Sequence, residues 1–194
     1  MKKRIRFLIT IALLCILAVL LFYHFSNNTT PSGNTEEETT VHVSEVDKLI
    51  SKDLDKNYPI TVREVVDLFT RIQICYYNED CSSDEIVKLA YMATILFDDE
   101  LNANNPFDEY YDALVDDINQ YMEEGKIISR VIIDKASDVI YSTVDDTKYA
   151  SINCIYYLKT SDTTEKITET YILRKDGEGR WKILGWKLYE EKEE

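Results

Sequence analysis

The sequence predicts an α+β protein: an N-terminal transmembrane helix, then a domain of three to four helices packed on a curved antiparallel sheet. Three observations predict it. Residues 7–25 are an apolar run without a formal charge. From about Val41 to Gly125, apolar residues recur at spacings of three and four, with capping signals at the joints. Beyond Gly125 the period falls to two and β-branched and aromatic residues dominate. Helices followed by strands joined through short turns is the order of an α+β domain.

The N-terminal segment reads as an address. Lys2, Lys3, Arg4 and Arg6 make residues 1–6 a basic tail. The run that follows, at about 1.5 Å per residue, extends about 28 Å as a helix, enough to cross a bilayer core. "LLFYHFSNN" offers bulky side chains where signal cleavage needs small ones, so an uncleaved anchor over 7–25 is expected rather than a removed signal. Cys15 follows Leu13 and Leu14 and so lacks the small residue that precedes a bacterial lipoprotein cysteine. The basic tail places the N-terminus in the cytoplasm. The expected localisation is therefore the cell membrane, single-pass, with the C-terminal domain extracytoplasmic. Residues 26–40, SNNTTPSGNTEEETT, have no hydrophobic periodicity and read as a flexible tether. Residues 41–194 remain for the folded domain.

Within that domain Val43, Val46, Leu49 and Ile50 outline a short first helix, expected to reach about Leu54. "YPIT" interrupts it. Thr61 and Glu64 form a capping-box pair, and Val62, Val65, Val66, Phe69, Ile72 and Tyr76 make the stripe of a second helix. Ser82 and Glu85 repeat the device ahead of a third, with its stripe running from Ile86 through Leu89, Ala93 and Leu96 to Leu101. Asn105 and Pro106 supply a cap and a pre-set first residue for a fourth; Tyr111, Leu114, Ile118 and Tyr121 follow, and Gly125 ends it. Strands are expected near 127–134, 138–144, 148–160, 165–175 and 180–189. "KTSDTTEK" and "KDGEGR" are hairpin turns, and neighbours so joined pair antiparallel.

The C-terminal "DGEGRWKILGW" resembles the terminal strand pair of the NTF2-like superfamily. "DLDKNYPITVREVVDLFTRIQICYYNE", "LFDDELNANNP" and "RKDGEGRWKILGWKL" are similar to segments of an uncharacterised membrane-anchored NTF2-like family of Gram-positive bacteria, from about Asp53 to Leu188. What the resemblance implies is an NTF2-like cone, a sheet curved round the helices, held outside the cell. It carries over no catalytic residue.

Charge excludes one class of partner. The chain has 22 Lys and Arg against 36 Asp and Glu. Four of those bases lie in the tail, where there is no acid, so the remaining 18 face all 36 acids and the rest of the chain carries −18. Such a surface repels phosphate backbones, and nucleic acid is not an expected partner.

The inventory of catalytic groups is thin. The two histidines, His24 and His42, sit at the membrane edge and where the tether meets the domain, ahead of its first helix, which leaves the helices and strands without an imidazole base. Cys154 reads as a small buried hydrophobe in mid-strand. Cys75 and Cys81 bracket "YYNED" and could bridge; the other reading is two separate thiols. Asp98, Glu100, Asn102 and Glu109 loosely resemble a calcium loop, but Ala103 stands where such a loop needs glycine and Pro106 interrupts it, so no metal and no cofactor is expected. The carboxylates of "FDDELNANNPFDEYYDALVDD" read mainly as a solvated helix face. Among fourteen tyrosines, Tyr77, Tyr110, Tyr156 and Tyr157 are candidates for a ligand-binding cone mouth, against the alternative of core edge and cross-strand pairing.

The function expected from these readings is a non-enzymatic, membrane-tethered binding or assembly module, its partner a protein or a small ligand. In layout it is similar to the bitopic assembly proteins of type IV secretion systems. The alternative is a small-molecule isomerase or hydrolase-like enzyme using a buried carboxylate. A homodimer across the outer sheet face is a further expectation.

Overall fold

The computed structural model describes residues 44–189. They form an α+β domain of five α-helices followed by a five-stranded antiparallel sheet. The helices are α1 (Glu45–Ile50), α2 (Val62–Asn78), α3 (Ser83–Leu96), α4 (Asp99–Asn104) and α5 (Phe107–Glu124). The strands are β1 (Ile127–Ile133), β2 (Ile140–Val144), β3 (Thr147–Lys159), β4 (Thr164–Lys175) and β5 (Trp181–Leu188). The expected fold, a transmembrane helix followed by an NTF2-like cone of three to four helices, is corrected on these findings. Among the described residues five α-helices are present, and none of them is long and apolar enough to cross a membrane. The anchor expected at 7–25 and the tether at 26–40 lie outside the described residues.

The capping signals explain where α2 and α3 begin. Thr61 accepts from the Glu64 amide while the Glu64 carboxylate accepts from the Thr61 amide; Ser82 and Glu85 do the same for α3. Gly125, at φ 57°, stops α5 in the left-handed region that suits glycine.

Three boundaries differ from expectation. α1 stops at Ile50 instead of Leu54, and Asp53 turns the chain by accepting from the amides of Asp55 and Lys56. The expected third helix divides at Phe97 and Asp98: Phe97 is extended and bridges Ile183, the Asp98 amide donates to the Ile183 carbonyl at 2.8 Å, and the Asp98 side chain caps α4. At α5 the cap position is Pro106, with no side-chain cap; Asn105 donates to the Leu101 carbonyl of α4 instead.

The sheet order is β1-β3-β4-β5, and β2 also pairs with β3. Because β4 pairs along one edge of β3, β1 and β2 share the other, β1 against Cys154–Lys159 and β2 against Thr147–Ser151. Alternation in β3 buries Ala150, Ile152, Cys154, Tyr156 and Leu158 on one face. In register, β4 sets Leu173, Tyr171, Glu169 and Ile167 beside the first four of these in the order 150, 152, 154, 156. α2 is the central helix, touching β1, β3 and β5 as well as α1, α3 and α5. Val62, Val65, Val66 and Ile72 are wholly buried in it. Each such side chain contributes about 1.5–3 kcal/mol of transfer free energy, so this layer supplies much of the drive to fold.

The turn between β2 and β3 is Asp145–Asp146, with φ of 46° and 64°. Both residues occupy the left-handed region, where Asn and Gly are least strained. Replacing the pair by Asn-Gly should stabilise the protein by about 0.5–1 kcal/mol, read from the urea midpoint; an unchanged or lower midpoint contradicts this.

Candidate functional site

The inner face of the sheet is mostly sealed. Phe69 of α2 sits with its ring 5.5 Å from Phe97, 6.0 Å from Tyr171 and 5.6 Å from Trp186. Beside this aromatic cluster, between α2, α5 and the strands, a cavity of about 230 Å³ remains. α2 lends it Gln73 and Tyr77, and α5 lends Asp117 and Tyr121. The sheet lends Ile128, Tyr156, Leu158, Ile167, Glu169 and Trp186.

Helical spacing brings the α5 pair together, since Asp117 and Tyr121 are four apart. Strand alternation does the same for Ile167, Glu169 and Tyr171, which point inward at every second position. The polar groups form a chain. The Tyr156 hydroxyl lies 2.7 Å from Gln73 Oε1 and 2.7 Å from the Tyr171 hydroxyl, which lies 3.0 Å from Glu169 Oε2. On the helix side Tyr77 donates to Asp117 Oδ2, and its ring stacks on Tyr121 at 4.2 Å.

Burial dominates the electrostatics. It pushes the Glu169 carboxyl above the usual carboxylate range, against a smaller opposing effect of the Tyr171 hydrogen bond. Burial likewise raises Tyr77, with Asp117 adding to the shift, and Tyr156, with Tyr171 adding. These hydroxyls therefore serve as neutral donors.

Of the four tyrosines expected at a cone mouth, Tyr77 and Tyr156 line the cavity. Tyr110 packs its ring 5.5 Å from Phe97, and burial raises its hydroxyl to about 12. Tyr157 lies on the opposite sheet face from Tyr156, under the Arg130 guanidinium at 4.1 Å. Neither lines the cavity. Cys75 and Cys81 are free thiols, the Cys81 Sγ lying 3.6 Å from the Cys75 carbonyl oxygen. Burial lifts them to about 12 and about 11, and Cys154 to about 12, so none is a ready thiolate.

Asp98 and Glu100, weighed above as oxygen ligands, are instead engaged by Arg174. No group of three or more His, Cys, Asp or Glu among the described residues is placed to hold a metal ion.

Sequence reasoning missed Gln73, Asp117, Tyr121, Glu169 and Trp186 as a group. Two signals pointed to them. Glu169 falls on the apolar phase of its strand, between Ile167 and Tyr171, and Asp117 falls on the apolar stripe of α5 between Leu114 and Tyr121. A carboxylate in phase with a core stripe is the pattern of an inward-facing charge.

A wider concavity of about 720 Å³ lies elsewhere on the sheet. Its rim residues Ile140, Leu188 and Tyr189 are exposed, and Thr170 and Asn153 in it satisfy each other at 2.8 Å. It offers no buried polar group to a ligand, so the inner cavity is the better site.

No curated protein matches the chain. Its residues 1–186 match a family model described as a domain of unknown function, DUF6715, and the chain belongs to that family.

Proposed function

We propose that the folded domain is a small-molecule binding module whose site is the cavity between α2, α5 and the sheet. One observation carries the reading: the Gln73–Tyr156–Tyr171–Glu169 chain brings a carboxylate into the apolar layer beside an open space. A carboxylate that served packing alone would be replaced with a gain in stability by an apolar residue. Concave sites with a few convergent polar groups are where ligands bind. The test fills the cavity. Ile167→Trp should abolish binding of small molecules recovered from a fragment screen on the full-length protein while leaving the melting temperature within a few degrees. Fragments that bind the filled variant unchanged would place their site elsewhere and overturn the reading.

A second reading is favoured by the state of Glu169. A carboxyl with raised proton affinity beside a tyrosine hydroxyl is suited to take a proton from a bound carbon or oxygen acid. The two readings separate in Glu169→Gln. Turnover lost with binding kept is the signature of a base; binding itself lost is the signature of a recognition group.

The same variant has a stability consequence. A carboxyl with a folded pKa above its unfolded value holds its proton more tightly in the folded state. Its contribution to stability is therefore lost as pH rises from the unfolded pKa through the folded one. Glu169→Gln should match the wild type near pH 4 and exceed it near pH 7 by about 1 kcal/mol, or about 3 °C. Urea titrations at the two pH values measure this; a variant less stable at pH 7 would mean that Glu169 is a structural anchor.

A further inference from the structure

We infer that the cavity takes a small organic cation, an amine or quaternary ammonium group held by the two carboxylates and the aromatic rings around it. The inference rests on the binding reading above and adds the charge of the ligand.

Three features of the lining point the same way. Asp117 comes from α5 and Glu169 from β4, so negative charge reaches the space from both layers. Tyr77, Tyr121, Tyr156 and Trp186 add four aromatic side chains to the lining, and no lysine, arginine or histidine lines the cavity. Rings attract a cation through their quadrupole, with tryptophan the strongest. The attraction already operates at the boundary of the site, where the Lys126 ammonium lies 5.0 Å from the Tyr121 ring centre while pairing with Glu124.

The alternatives fit less well. An anionic ligand would meet two carboxylates without a counter-cation. A neutral apolar ligand would leave the Glu169 carboxyl and the Gln73 amide facing it without new partners. The volume, about 230 Å³, suits a headgroup-sized molecule in preference to a peptide or a steroid. Burial of Glu169 adds to the argument, because a bound cation compensates the desolvation that holds its proton affinity up.

The test is calorimetric titration of the full-length protein with tetramethylammonium, choline and putrescine. The neutral carbon isostere of choline, 3,3-dimethylbutan-1-ol, and acetate serve as controls. Trp186 emission reports occupancy, with Trp186→Phe as the control for Trp181. At least one cation should bind about 10-fold or more tightly than the neutral isostere, the ratio that a desolvated cation–π and carboxylate contact supplies. Asp117→Asn and Glu169→Gln should each weaken that cation about 10-fold and leave the isostere unchanged. The two substitutions lie on different elements, so a folding failure in one leaves the other to decide. If the isostere or acetate binds as well as every cation, and Ile167→Trp removes that binding, the cavity is a ligand site and the cation inference is overturned. If none of the five probes binds, the cation inference falls; if fragment hits also survive Ile167→Trp, the binding reading falls with it.

Discussion

Replacing Asp98 by alanine should destabilise the protein by about 3 kcal/mol, lowering its melting temperature by about 10 °C. The carboxylate is 4% exposed and serves two partners at once. One oxygen accepts from the Glu100 amide at 3.0 Å and caps α4; both oxygens accept from Arg174, its Nε at 3.0 Å and its Nη2. Removing a cap costs about 1 kcal/mol, and stranding a paired guanidinium costs more. Arg174 keeps partial access to water and a second partner in Glu100, at 3.1 Å, which places the loss at the low end of the range for a broken buried pair. Asp98→Asn keeps an acceptor for the cap and should lose about half as much. Adding Arg174→Met to Asp98→Ala should recover stability, because an apolar pair leaves no orphaned charge. Urea denaturation of the wild type, Asp98→Ala, Arg174→Met and the double variant forms a double-mutant cycle. A loss under about 0.5 kcal/mol for Asp98→Ala would show that the α3–α4 joint is not held by this pair.

That joint also shows what the sequence could and could not disclose. The stripe Leu89, Ala93, Leu96, Leu101 is continuous with helical spacing to within one residue, so a single helix was the natural reading. The break comes from β5, which is 85 residues away in the chain at Ile183 and draws Phe97 and the Asp98 amide out of the helix. Local pattern does not contain such a contact. Where the determinant is local, the sequence is legible. The capping boxes at Thr61 and Ser82, the glycine at position 125 and the period-two runs of β3 to β5 all act within a few residues of themselves, and each is found where expected.

The cavity divides the same way. That Tyr77 and Tyr156 face inward follows from their phase on α2 and β3. That a space remains between them depends on which residues of α5 and β4 meet across the layers, and on Trp186 leaning toward Phe69 and Tyr171 instead of filling it. Phase is a property of one element, whereas a gap is a property of several. Glu169 was legible as an in-phase charge and still passed over, because its neighbours Thr168 and Thr170 make the whole stretch look polar.

Phe69→Ala should be the other large perturbation, at about 3–5 kcal/mol. Phe69 is 2% exposed and its ring touches three others, Phe97, Tyr171 and Trp186, so truncation opens a void in the layer that closes α2 onto the sheet. Phe69→Leu fills part of that void and should lose less than half as much. Trp186 lines the cavity as well as contacting Phe69, so its emission should change in Phe69→Ala as the ring loses a packing partner. The consequence for the site follows from that shared side chain. Phe69→Ala should weaken cation binding together with stability, since it releases a wall of the cavity. Glu169→Gln should weaken binding while raising stability at pH 7, since it removes a desolvated charge. Opposite signs in the second variant and like signs in the first would separate a group kept for recognition from one kept for packing. Parallel losses in both would mean that Glu169, like Phe69, belongs to the core alone.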